Sequence, residues 1–201
     1  AHLDDYVVTK TEEACVALVE GEILEGTLDG TAETLDLKNY INIIDKKTAA
    51  LFALSAQLGA YLSGAAAADV ERMRLFGQNA GIAFQMVDDI LDIIANEDLL
   101  GKPCGTDLKQ KTPSLVNVLW LASGETQART FFDQDAPTPE SVIEARQHLL
   151  SSAIIQESRQ YAQHYAQNAL DALNAIDEQK LNPLIRGQLQ SLVEYTLTRC
   201  L

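Results

Sequence analysis

The carboxylates Asp88, Asp89 and Asp92 sit inside an otherwise apolar run, within the stretch FGQNAGIAFQMVDDILDIIANEDLLGKPCGTD that extends from Phe76 to Asp107. Phe84, Val87, Ile90, Leu91 and Ile94 recur at helical spacing, which predicts an amphipathic or buried helix. Asp88 and Asp92 are four residues apart and Asp89 and Asp92 three, so this spacing gathers the three carboxylates on one side of that helix. Like charges so placed repel by roughly 0.2–0.5 kcal/mol per pair, and aspartate is a poor helix former besides. A hard divalent cation would offset that cost. Oxygen ligands with no histidine or cysteine at ligand spacing favour Mg2+ over zinc, and Mg2+ is usually held by one or two carboxylates, waters and a substrate phosphate. Taken alone, DDILD also reads as a solvated helix face.

The segment after it adds a cation. Gly101, Lys102, Pro103, Cys104, Gly105, Thr106 and Asp107 form a turn that holds Lys102 where it can meet an anion bridged to the metal. Carboxylates, Mg2+, diphosphate and lysine in alternation are what chemistry on a diphosphate ester requires. FQMVDDILD followed by GKPCGTDL resembles the second aspartate-rich motif and adjoining lysine loop of the trans-isoprenyl diphosphate synthases, all-α enzymes that extend allylic diphosphates with isopentenyl diphosphate.

The resemblance covers Thr11 to Leu121 closely and the remainder weakly. It implies that Lys47 and Thr48 hold the allylic diphosphate, with a point charge beside a hydroxyl donor. It implies that Gln85, on the same side of the helix as Asp88 and Asp89, contacts substrate or orients its ligands, and that Lys102 and Lys111 contact phosphate. Asp88, Asp89 and Asp92 would bind the metal, with Asp88, Asp89 and Lys102 also carrying the chemistry. GEILE occupies the place of a Gly-Glu-x-x-Gln pattern, with Glu25 where glutamine is usual, and either Glu22 or Glu25 is as readily a solvated side chain. The implied reaction ionises an allylic diphosphate, joins the resulting cation to isopentenyl diphosphate and ends with loss of a proton. The implied assembly is a homodimer or a heteromer, in the cytoplasm.

These residues need helices to place them. Thr11 to Gly26 has apolar residues at helical spacing, and Asp36 opens a long pattern carrying Lys46, Lys47 and Thr48 that stops at Gly64. A helix from 68 or 69 to 96 bears the aspartates. Its small residues Gly77, Ala80, Gly81 and Ala83 allow another helix or a ligand to approach closely. Pro113 to Leu121 is a short apolar helix, broken by Ser123, Gly124 and Glu125, and Asp133 to Pro139 reads as a surface loop. Thr138 with Pro139, and Asn182 with Pro183, have the composition of helix starts. A long helix lies between them, and His148 and His164 are assigned to the surface. No strand pattern competes, so the fold class is all-α: one domain over residues 1–201, a helical bundle of the isoprenoid synthase type, its N-terminal part missing or incomplete.

Composition sets limits on partners. The net charge of -14 argues against nucleic acid and against adhesion to an anionic membrane, and no run of about 18 or more apolar residues suggests stable membrane insertion. A diphosphate must therefore be held by local cations and metal against the global field. Three cysteines without metal spacing suit a reducing compartment. The first aspartate-rich motif of the family is not recognisable. HLDD has two of its acids but lacks the later aspartate and the arginines. That departure admits a second reading, a non-catalytic helical subunit that regulates a catalytic partner. It also raises the expectation that polypeptide is absent before Ala1, between Asp5 and Thr11, and near Gln110.

Overall fold

The computed structural model describes residues 4–28, 30, 31, 33–95 and 104–200. Its regular elements are all helical, with no strand among the described residues. α1 (Asp5–Thr27) begins well before the predicted Thr11 because Asp4 caps it, accepting from the N–H groups of Tyr6 at 2.9 Å and Val7 at 3.2 Å. Asp4 also accepts from the Tyr61 hydroxyl at 3.0 Å. The acids of HLDD therefore start a helix here. That helix runs unbroken through residues 5–11.

The single helix predicted from Asp36 is interrupted. Asp36 caps α2 (Leu37–Ile44), a π-helical turn occupies Asp45–Ala49, and α3 (Ala50–Leu62) continues to just short of Gly64. α4 (Ala67–Ile94) is the central helix, flanked by α3 on one side and α9 (Ile154–Asn174) on the other. The small residues of α4 explain the first contact. A Cβ on Gly77 would lie 2.3 Å from the carbonyl oxygen of Phe52, and one on Gly81 would lie 2.7 Å from the Cα of Ala49, so the two backbones meet directly. Across the other face, Phe76, Ala80 and Ala83 pack with Ala166, Ala169 and Leu173 of α9 and Val193 of α10 (Pro183–Thr198).

After the aspartates come α5 (Thr106–Gln110), α6 (Leu115–Ala122), α7 (Thr126–Phe132) and α8 (Pro139–Ser151). Lys111 N–H reaches the Leu108 carbonyl at 3.1 Å and Thr112 N–H the Asp107 carbonyl at 2.9 Å, with Lys111 itself at φ 52 in the left-handed region. α7, like the short α5, is an element that sequence reasoning misses. It is too short to show a periodic stripe, and it forms because Phe131 and Phe132 bury themselves on Trp120, with ring centroids at 5.6 and 5.9 Å. His148 is not a surface bystander: half-buried beside Trp120, its Nε2 lies 2.6 Å from Glu125, whose carboxylate also accepts from the Trp120 indole at 3.2 Å. His164 is exposed as expected. All three cysteines are free thiols. Among the described residues no helix is long and apolar enough to cross a membrane.

Candidate active site

One polar cavity of about 240 Å³ forms where several elements meet. α4 supplies Gln85, Asp88 and Asp89; α2 and the π-helical turn supply Tyr40, Ile44, Lys47 and Thr48; α1 supplies Glu25; and α5 with the segment after it supplies Asp107, Gln110, Thr112, Pro113 and Ser114. Two larger cavities lie elsewhere. A groove of about 710 Å³ between α3, α4 and the start of α10, and one of about 490 Å³ beside Leu35 and Arg129, have mostly apolar walls and no comparable convergence of polar groups.

A π-helical turn within a longer helix recurs at functional sites because the wider coil re-aims the side chains around it. Here Lys46 pairs outward with Glu20 at 2.6 Å, whereas Lys47 lines the cavity. α1 can lie against this turn because residue 21 is glycine. A Cβ there would stand 2.6 Å from the Lys47 backbone nitrogen. One turn further along α1, Glu25 meets the Lys47 ammonium at 2.6 Å, and Glu22 approaches it at 3.3 Å. Burial works to lower the Lys47 pKa, but the Glu25 hydrogen bond and the charges of Glu25 and Glu22 outweigh it and hold the ammonium above its ordinary range.

A relay of hydrogen bonds crosses the cavity to the aspartates. The Thr48 hydroxyl donates to Gln85 Oε1 at 2.8 Å, and Gln85 Nε2 donates to Asp89 Oδ1 at 3.0 Å. The other oxygen of Asp89 accepts from the Tyr40 hydroxyl at 2.7 Å and from the Leu115 N–H, at the start of α6, at 2.8 Å. Asp89 is only 5% exposed. Burial raises its pKa to about 6 even though all three donors pull it down. Tyr40 is raised well above its usual value, chiefly by burial and then by the Asp89 charge.

The three aspartates do not converge as the spacing predicts. Asp88 is partly exposed, with Arg199 Nη2 at 3.9 Å from Oδ1 and the Arg199 guanidinium over the Phe84 ring at 5.3 Å. Asp92 is buried and does not line the cavity. It accepts from Thr106 N–H at 3.2 Å and Asp107 N–H at 3.1 Å, so it anchors α5 and thereby places Asp107. Among the described residues no three carboxylates stand close enough to enclose a cation by themselves. A metal here fits the oxygen-only donor set of Asp88 and Asp89, completed by waters and a ligand's phosphate oxygens, which is how Mg2+ is commonly held.

Lys111 is a correction. It does not line the cavity. Its ammonium donates to the carbonyls of Phe132, at 2.8 Å, and Gln134, groups left without helical partners at the end of α7. The left-handed backbone at Lys111 turns the side chain that way. Lys111→Met is therefore expected to lower stability by about 1 kcal/mol while leaving pyrophosphate affinity unchanged; a tenfold loss of affinity in titration calorimetry would return Lys111 to the site. Lys102 lies outside the described residues.

Residues 2–150 match the profile of the polyprenyl synthetase family. The chain belongs to that family. Its similarity to the geranylgeranyl diphosphate synthase of Sulfolobus acidocaldarius is 31% identity over 191 residues, covering 92% of this chain and 56% of that protein. With the heptaprenyl diphosphate synthase component 2 of Bacillus subtilis it shares 34% identity over 167 residues, covering 78% and 42%. Its fold superposes on the polyprenyl synthase of Caulobacter crescentus, solved in complex with calcium and isoprenyl diphosphate. The TM-score is 0.88 at 27% identity, over 98% of this chain and 60% of that one. The chain thus spans between 42% and 60% of the length of these relatives. The family is divalent-metal dependent in general.

Tyr40 and Asp107 line the cavity though the sequence reading did not assign them, and Arg199 lies beside Asp88 without lining the cavity. Tyr40 is marked as a site residue only by its hydroxyl, 2.7 Å from Asp89. Asp107 lies inside the GTD segment already quoted, a usable signal. Arg199 is far from Asp88 in sequence and carries none.

Proposed function

We propose that the protein is a Mg2+-dependent prenyltransferase that condenses an allylic diphosphate with isopentenyl diphosphate to give a longer polyprenyl diphosphate. The observation that carries this reading is the placement of Lys47 and Thr48 opposite Asp88 and Asp89 across Gln85 in one small polar cavity. Family membership supports it, as do the relatives named as prenyl diphosphate synthases. Lys47 and Thr48 present a cation and a hydroxyl donor to the diphosphate of the allylic substrate. Asp88 and Asp89 face it with carboxylates, and Gln85 fixes the orientation of Thr48 and Asp89. Bound Mg2+ would neutralise the charge that develops on the departing diphosphate. The allylic carbon–oxygen bond breaks with its electron pair leaving on oxygen, the isopentenyl double bond forms the new carbon–carbon bond, and a proton is lost.

Asp92 acts through the loop it anchors, and Lys102 belongs to the diphosphate contacts. The protein works as an oligomer in the cytoplasm, with a second copy of itself as the first partner. Support for assembly comes from α1, where Val16, Val19 and Ile23 form an exposed apolar stripe, each more than half exposed. Incubation of the chain with Mg2+, an allylic diphosphate and radiolabelled isopentenyl diphosphate is expected to give labelled, solvent-extractable prenyl product, lost on chelation. Light scattering of the same preparation is expected to give twice the 22.0 kDa of the chain. Absence of extractable label would refute the activity, and a strictly monomeric mass the assembly.

A further inference from the structure

Lys47 is the one cation lining the polar cavity among the described residues, and it is already taken. Its partner Glu25 lies in the last turn of α1, where the helix dipole disfavours a carboxylate and where no basic residue of α1 compensates. Glu22, a turn earlier, adds a second negative charge beside the same ammonium. Neither acid is placed there for the sake of its own helix. What fixes them is the direct contact of α1 with the π-helical turn at Gly21, which leaves Glu25 the one α1 side chain lining the cavity. Glu25 thus shares the cavity with Asp88, Asp89 and Asp107.

We infer that Glu25 is a built-in competitor of the substrate's diphosphate: it holds the Lys47 ammonium and must release it before an anionic ligand can take it. This rests on the reading of the cavity as a diphosphate site. Glu25 is on this view a positioning residue that acts through Lys47. Its consequence is selectivity by charge. A bare anion meets a neutralised lysine and an excess of carboxylates, whereas an anion arriving with divalent cations brings the charge needed to offset Asp88 and Asp89 while it displaces Glu25. Occupancy by the anion becomes conditional on the cation, a condition suited to a site whose chemistry needs both.

Calorimetric titration of the whole chain with inorganic pyrophosphate, in EDTA and in Mg2+, tests it. Glu25→Gln keeps the side-chain shape and removes the charge. It is expected to bind pyrophosphate about two- to fivefold tighter in EDTA, the scale of one partly exposed ion pair, with a smaller gain in Mg2+. In a Lys47→Met background the gain should vanish, which a merely structural effect or a change in the general field would not produce. If wild type binds and Glu25→Gln binds no tighter, or the gain persists without Lys47, the inference falls and the diphosphate reading stands. Weaker binding of Glu25→Gln confined to Mg2+ would make Glu25 a cation ligand and equally overturn it. If neither protein binds pyrophosphate, both readings fall.

Discussion

Replacing Asp89 by asparagine is expected to stabilise the metal-free protein at pH 8 by about 1–2 kcal/mol and to abolish Mg2+-dependent pyrophosphate binding. Asp89 is protonated in the fold up to about pH 6, whereas in the unfolded chain it ionises near pH 4. Between those values the folded state holds the extra proton, so wild-type stability falls as pH rises through that window. A shift of about two units corresponds to roughly 3 kcal/mol at most. Asparagine escapes that burden but replaces charge-assisted hydrogen bonds by neutral ones, which reduces the net gain. Its oxygen can keep the Tyr40 and Leu115 donors, and its amide can pair with Gln85 after a flip of that side chain, with Thr48 then accepting. Urea unfolding at pH 4 and pH 8 checks the sign: the midpoint difference between variant and wild type should be small at pH 4 and grow towards pH 8. With Mg2+ and pyrophosphate present, wild type alone should gain stability by ligand linkage. Equal midpoints for the two proteins across this range would mean that the buried carboxylate carries no strain, and the stability–function trade-off at this site would be refuted.

How much of this was legible beforehand differs by layer. The helices were readable where caps and long stripes agree: Thr138 with Pro139 and Asn182 with Pro183 begin helices as their residue types require. The π-helical turn was not readable, because Asp45–Ala49 carries no unusual residue; its backbone is in close contact with Gly21 of α1 and Gly81 of α4. Gln85, Asp88 and Asp89 were placed on one side of the helix by spacing, and that side lines the cavity. Asp92 has the same spacing and a different surrounding. The chain turns back after α4, and two backbone N–H groups at the start of α5 claim both carboxylate oxygens. Lys111 failed for a related reason: its partners are carbonyls exposed by a helix, α7, that only tertiary packing of Phe131 and Phe132 creates. Spacing reports which side of an element a residue is on, and only the fold reports which neighbour reaches it first.

The same logic makes Gly77 the position where one methyl group should do most damage. Alanine is the better helix former by about 0.5–1 kcal/mol, so on propensity alone Gly77→Ala would help. The added carbon, however, would sit 2.3 Å from the Phe52 carbonyl oxygen and 2.9 Å from the Ala53 Cα. Both obstacles are backbone, so neither can yield by a rotamer change, and α3 must move off α4. Overpacking of this kind typically costs 1–3 kcal/mol, and its rigid wall puts this case at about 3 kcal/mol, a fall of roughly 6–12 °C in melting temperature for a chain of this size. The site suffers with the fold, because α3 continues directly from the turn that carries Thr48, whose hydroxyl reaches Gln85 across that same contact. Gly59, in the middle of α3, is the matched control: a Cβ there meets nothing within 4 Å. Gly59→Ala should therefore raise the melting temperature by about 1–3 °C and leave pyrophosphate binding intact. A Gly77→Ala protein that melts with wild type would show that α3 and α4 are not in backbone contact, and would remove the physical reason for finding Thr48 beside Gln85.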